Sequence, residues 1–145
     1  GAVTHMVGCV GDDTFADVAT TSLRAAGVRL DHLRTVPGQT GIAHIRVYEH
    51  GDNDIVVVPH ANAALSTDQL ERAFAALAGT ARVMLTQLET PFHIPLAAAR
   101  LAHEAGITVI LDPAPAAPLD EAIWPFVDVV KPNETEASLL TGIHV

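Results

Sequence analysis

From Ser66 onward the chain alternates at short, regular intervals between apolar strand patterns and amphipathic helix patterns. Residues 81–88 read as strand, 92–105 as helix and 107–111 as strand. A proline-rich loop, 113–118, leads to a short helix at 119–125, a strand at 127–130 and a helix at 133–141. The first helix of the series opens on a capping box, with Ser66 at N-cap and Gln69 at N3. Leu70, Ala73, Phe74 and Leu77 follow it at i, i+3, i+4 and i+7. Ala98, Leu101, Ala102 and Ala105 give the next helix one apolar face, and Gly106 stops it. Strands apolar on both sides, separated by helices, imply a parallel sheet covered by those helices. The expectation is an α/β fold, a doubly wound, mostly parallel sheet with helices on both faces, in one domain over residues 1–145.

The first half fits this plan with one excursion. Residues 3–10 read as a short apolar strand closed by Gly11-Asp12-Asp13. A helix fits 14–26, with Asp13 as N-cap and Gly27 as its stop. Phe15, Val18, Ala19, Leu23 and Ala26 form its apolar stripe. Two β-rich runs, 40–49 and 55–58, flank the turn residues His50-Gly51-Asp52-Asn53-Asp54. They read as a β-hairpin flap standing out from the main sheet.

Charge narrows the function classes. Eight Lys and Arg against 17 Asp and Glu give a formal charge of −9, with no basic stripe. Non-specific nucleic-acid binding depends on neutralising phosphates with such residues, so no nucleic-acid partner is expected. A phosphate-bearing small ligand stays possible, because backbone N–H groups can hold it locally. No run approaches the roughly 18 apolar residues of a membrane span. The single cysteine, Cys9, sits in an apolar strand, reads as a buried small residue and is compatible with a reducing cytosol. The eight histidines form no i, i+4 pair and no compact cluster with the cysteine.

Ligands of open α/β sheets bind beyond the carboxyl ends of the strands. Three strands here end at Glu89, at Asp112 and at Lys131-Pro132-Asn133-Glu134-Thr135-Glu136. A parallel sheet would bring these polar groups to one rim. The last segment has two readings. Asn133 and Glu136 form a capping box, which is a sufficient structural role. They also set an amide and a carboxylate at a helix N-terminus, suited to phosphate or to a hydrated Mg²⁺.

Taken in order, six segments resemble the ribokinase-like (PfkB) carbohydrate kinases. They are Val7-Gly8-Cys9-Val10-Gly11-Asp12-Asp13, Thr40-Gly41-Ile42-Ala43, residues 56–65 (Val-Val-Val-Pro-His-Ala-Asn-Ala-Ala-Leu), Gln87-Leu88-Glu89, Asp112-Pro113-Ala114-Pro115-Ala116, and Pro132-Asn133-Glu134-Thr135-Glu136-Ala137. The resemblance implies transfer of the γ-phosphoryl of ATP to the primary hydroxyl of a pentose such as D-ribose, giving the 5-phosphate. It implies Mg²⁺ and a monovalent cation, K⁺, as cofactors, and a cytoplasmic enzyme. Glu89 matches the glutamate that hydrogen-bonds the sugar, Asn133 a nucleotide-contacting asparagine, and Glu136 the end of an Asn-x-x-Glu motif acting on Mg²⁺ through water. Ala43, Ile45 and Val57 match apolar positions of a lid over the sugar. The hairpin, at about 38–60, matches that lid, through which such enzymes also pair as homodimers.

The family also carries a Gly-Gly-Lys-Gly-x-Asn segment and a Gly-Ala-Gly-Asp segment whose Asp is the catalytic base. Neither occurs in these 145 residues. The resemblance is therefore to the middle of such a kinase, an incomplete domain without its catalytic base and expected to be inactive alone. Two alternatives stand beside this reading. One is another sugar or nucleoside kinase of the family, such as a fructokinase. The other is a non-catalytic dimerisation or binding module that uses the hairpin.

Overall fold

The computed structural model describes residues 1–144. The chain divides into two compact units, Gly1–Leu65 and Ser66–Val145.

The first unit opens with β1 (His5–Val10), α1 (Thr14–Ala25) and β2 (Arg29–Thr35), a βαβ unit in which β1 and β2 pair in parallel. Asp13 caps α1 by accepting from the Ala16 N–H. Gly27, at φ +78°, turns the chain back toward β2. The apolar stripe expected on α1 coincides with its buried face only in part, at Ala19 and Leu23. Phe15 and Val18 are exposed, while Ala16 is buried and Ala19, Thr20 and Leu23 are half-buried at i+3, i+4 and i+7. A methyl and a threonine let the helix approach the strands where a phenylalanine would hold it off. β2 had no counterpart in the sequence reading. Its Arg-Leu-Asp-His-Leu-Arg-Thr run carries two apolar residues among charges, too few for a strand signal.

The unit ends in β3 (Ile42–Val47) and β4 (Asn53–Val58), an antiparallel hairpin, followed by a 3₁₀ turn at His60–Ala64. Register pairs Ala43 with Val57, Ile45 with Ile55 and Arg46 with Asp54, whose side chains form an ion pair. The tip closes through Tyr48, whose carbonyl accepts from the Gly51 N–H.

Asp13 also accepts from Thr40, and that hydroxyl, followed by the Thr40 N–H, holds its carboxyl below the ordinary 3.8. A carboxyl depressed in the folded state stabilises it fully above the ordinary value, and the effect is lost as pH falls through the native one. Asp13→Asn should therefore lower the melting temperature most near neutrality. The gap to the unsubstituted chain should close below about pH 4. A gap constant from pH 7 to pH 2 would contradict this account.

The second unit begins with α2 (Thr67–Leu77), capped as read from the sequence by Ser66, which accepts from the Gln69 N–H. β5 (Val83–Thr86), α3 (His93–Glu104), β6 (Thr108–Leu111), a 3₁₀ turn at Glu121–Phe126, β7 (Val129–Val130) and α4 (Glu134–Thr141) follow. The three strands form one parallel sheet in the order β5-β6-β7. Its core is the cluster of Ala99, Ala102, Ile107, Val109, Leu111 and Ile123, with Met84, Phe74 and Phe126 packed against it. Register puts Met84, Val109 and Leu111 on this buried face. Val83, Leu85 and Val129 lie on the opposite face, which is open, with Leu85 76% exposed.

One expectation needs correcting. The fold is α/β, but among the described residues the strands form three small sheets, two parallel and one antiparallel, not one doubly wound sheet. The physical reason is that strand–helix alternation dictates parallel pairing between neighbours and does not dictate that every strand joins a single ladder. No described helix is long and apolar enough to cross a membrane.

Candidate functional site

Parallel pairing brings the carboxyl ends of β5, β6 and β7 to the same edge of the sheet. The loops leaving that edge are tied together. The Asp112 N–H donates to Thr86 O at 2.9 Å, and the Lys131 N–H donates to Leu111 O at 2.9 Å. The Leu88 N–H reaches Ala114 O at 2.8 Å, which joins the loop after β5 to the proline-rich loop after β6. The strand-end carboxylates expected at a common rim are therefore on one edge of one sheet.

Glu89 lies in the first of these loops. Its backbone N–H donates to Gln87 Oε1 at 2.9 Å, which fixes the loop. Its side chain is half-buried and has no hydrogen-bond or ion-pair partner among the described residues. An ionised carboxylate accepts hydrogen bonds only, through about four lone-pair sites. At Glu89 these remain available to a ligand rich in hydroxyls.

Asp112 and Lys131 form an ion pair across the rim, with Nζ to Oδ2 at 3.0 Å. Both residues had been read as rim positions, but their pairing had no sequence signal, because it joins the ends of two different strands. Lys131 sits at the edge with its ammonium largely exposed.

Asn133 and Glu136 form the capping box in full. The Glu136 N–H donates to Asn133 Oδ1 at 2.8 Å, and the Asn133 N–H donates to Glu136 Oε2 at 2.8 Å. Asn133 Nδ2 adds a third bond to Glu136 Oε1 at 3.0 Å. Glu136 is only 5% exposed. Both its oxygens are thus engaged, and binding a metal directly would break the cap. The pair fits Mg²⁺ only as acceptors for the ion's own waters, a mode in keeping with an ion that dehydrates reluctantly. Among the described residues no three His, Cys, Asp or Glu side chains converge as a metal cage.

The other predicted site residues belong to the first unit. Ala43 and Val57 are direct cross-strand partners, and Ile45 is two residues from Ala43 on β3. All three therefore share one face of the hairpin, and all three are exposed. Sequence reasoning missed the bonding of Thr40, which is buried and held by both Asp13 and Gly11. Its partners lie 27 and 29 positions away, beyond any local pattern.

Likeness to known proteins runs through both units. The pattern of the pfkB family carbohydrate kinases matches residues 1–144. The ribokinase of Haemophilus influenzae is 35% identical over 146 residues, covering 100% of this chain and 47% of that protein. The deoxyribokinase of Salmonella typhimurium is 36% identical over 141 residues, covering 94% of this chain and 45% of the relative. The structure of Arabidopsis thaliana ribokinase complexed with ribose and ATP superposes with a TM-score of 0.79 at 33% identity, over 97% of this chain and 46% of that one. The chain spans about half the length of the curated relatives it matches. Matched along its described length in sequence pattern and in fold, the chain belongs to the pfkB family of carbohydrate kinases.

Proposed function

We propose that these residues supply the sugar side and part of the nucleotide side of a ribokinase, which transfers the γ-phosphoryl of ATP to the primary hydroxyl of D-ribose. The observation that carries this reading is the Glu89 carboxylate, half-buried at the carboxyl edge of a parallel sheet and without a protein partner among the described residues. Phosphoryl transfer needs positioning and charge stabilisation rather than covalent chemistry by the protein. In this reading Glu89 accepts hydrogen bonds from sugar hydroxyls and orients the ring. Asn133 contacts the nucleotide phosphates, and Glu136 accepts from waters of Mg²⁺. Mg²⁺, when bound, supplies neutralising charge at the transferring phosphates. K⁺ enters the proposal as the monovalent cation implied by the resemblance.

Ala43, Ile45 and Val57 give the apolar face of a lid that keeps water, a competing acceptor, from the phosphoryl group. Both units are taken as parts of one ribokinase-like domain, consistent with a family match that runs through both. The same hairpin is the proposed contact of a homodimer, in keeping with its exposed Ile45, Val47, Ile55 and Val56. Sedimentation velocity of an Ile45→Asp variant checks this, since a dimer that survives it unchanged is not formed there.

The sugar is the finer question. Gln87-Leu88-Glu89 and the segment 61–65 favour ribose, whereas the likeness to a deoxyribokinase keeps 2-deoxyribose as the second reading. The test is a chimera in which these 145 residues replace the matching part of the Haemophilus influenzae ribokinase. ADP release is followed with D-ribose, 2-deoxy-D-ribose and D-fructose. The expected order puts D-ribose first. Preference for fructose, or no sugar-dependent release by a folded chimera, would overturn the proposal.

A further inference from the structure

The single lysine of the sequence stands at the carboxyl edge of the β5-β6-β7 sheet. Lys131 directly follows β7, and its Nζ lies 3.0 Å from Asp112 Oδ2 at the end of β6. The two side chains are 71% and 40% exposed, and ion pairs this open to water contribute little to stability. Holding the fold together is therefore a weak account of this lysine.

The edge around it is short of positive charge. Glu89 follows β5, Asp112 follows β6, and Glu134 and Glu136 lie in the first turn of α4. The other arginines described in this unit lie elsewhere. Arg72 and Arg100 are within α2 and α3, and Arg82 precedes β5 at the opposite end of the sheet. Lys131 is thus the one Lys or Arg at this edge among the described residues of the unit. Phosphate groups brought beside four carboxylates are repelled unless cations intervene, and the side chains present supply one permanent cation.

Its place also suits the task. Pro132 disfavours helical backbone at Lys131, and Asn133 is extended at φ −81° and ψ 180°. Lys131 therefore enters α4 through an extended run and sits two residues before its N-cap, on the side such a run shares with Asn133. An ammonium carries three donors. Asp112 takes one, and the exposure of Lys131 leaves the others open to an anion. A compact charge on a flexible four-carbon stem can reach a phosphate without breaking the cap made by Asn133 and Glu136.

We propose that the Lys131 ammonium binds the phosphates of the nucleotide, and that Asp112 is the partner that holds it at the edge until they arrive. This inference rests on the sugar-kinase reading and adds to it the residue that offsets the nucleotide's charge.

Kinetics of ADP release by the chimera with Haemophilus influenzae ribokinase test it. At saturating D-ribose, Lys131→Met should lower kcat/KM for ATP by about tenfold. KM for D-ribose should stay within about twofold, and the melting temperature should not move. Lys131→Arg, which keeps the charge, should recover most of the loss. Asp112→Asn breaks the same ion pair but keeps the ammonium, so it should cost less than about threefold. An unchanged kcat/KM for ATP in Lys131→Met, equal losses in Lys131→Met and Asp112→Asn, or a melting temperature several degrees lower in Lys131→Met would each overturn the inference and leave the kinase reading standing. A folded chimera with no sugar-dependent release would overturn that reading and this inference together.

Discussion

Glu89→Ala in the chimera should lower kcat/KM for D-ribose by roughly 10–150-fold and leave the melting temperature unchanged. The first figure follows from the loss of hydrogen bonds to a charged group, worth about 1.5–3 kcal/mol in total. The second follows from the structure: among the described residues the carboxylate has no protein partner, so its removal leaves no donor there unsatisfied. Substitutions at such positions are usually neutral within about 0.5 kcal/mol. Glu89→Gln, which keeps the shape and loses the charge, should fall between the two proteins. Activity lost with stability kept separates a ligand-facing carboxylate from a structural one. If Glu89→Ala melts several degrees lower, or phosphorylates ribose as fast as before, Glu89 is not a sugar ligand.

The largest effect on stability is expected at Leu111. It is fully buried, with Val109, in a cluster that includes Ala99, Ala102, Ile107 and Ile123. Leu111→Ala removes the transfer free energy of the lost methyl groups and leaves a cavity, costing about 2–5 kcal/mol. The upper half of that range is expected for two reasons. β6 is pinned between β5 and β7, so its backbone cannot settle inward. The neighbouring alanines have no side-chain length with which to fill the space. Urea unfolding measures the loss. Leu85→Ala is the control, since Leu85 lies on the open face and should cost little. A loss below about 1 kcal/mol at Leu111, or equal losses at both positions, would mean that the core lies elsewhere. The site should also feel the change, because Leu111 O accepts from the Lys131 N–H and the next residue, Asp112, pairs with Lys131.

These two residues show what the sequence made legible. Leu111 closes a short apolar run, and its burial follows from the parallel-sheet pattern. Glu89 could be placed at a strand end from the same pattern, but the freedom of its carboxylate depends on what surrounds it in space. Local devices were the most readable. The Asn133–Glu136 capping box, the Ser66 and Asp13 caps and the glycine stops each need only three or four neighbouring residues.

Features that depend on distant packing were harder to read. β2 is polar enough to pass for loop until β1 is laid beside it. α1 turns Ala16 inward rather than Phe15, because the space available beneath a helix is set by its neighbours and not by its own apolar pattern. The Thr40–Asp13 hydrogen bonds join segments 27 residues apart, and the open sheet face appears only once the register of β5 and β6 is known. The family resemblance reached further than periodicity because its six segments come from all along the chain, where pattern reading takes one window at a time.

The most direct test of the central claim is ribose-dependent ADP release by the chimera, with the 145 residues alone assayed alongside. These residues are read as holding the sugar side of the site but not the Gly-Ala-Gly-Asp base. The account therefore predicts turnover by the chimera and none above background by the 145 residues alone. Ribose-dependent ADP release by the 145 residues on their own, abolished by Glu89→Ala, would contradict it.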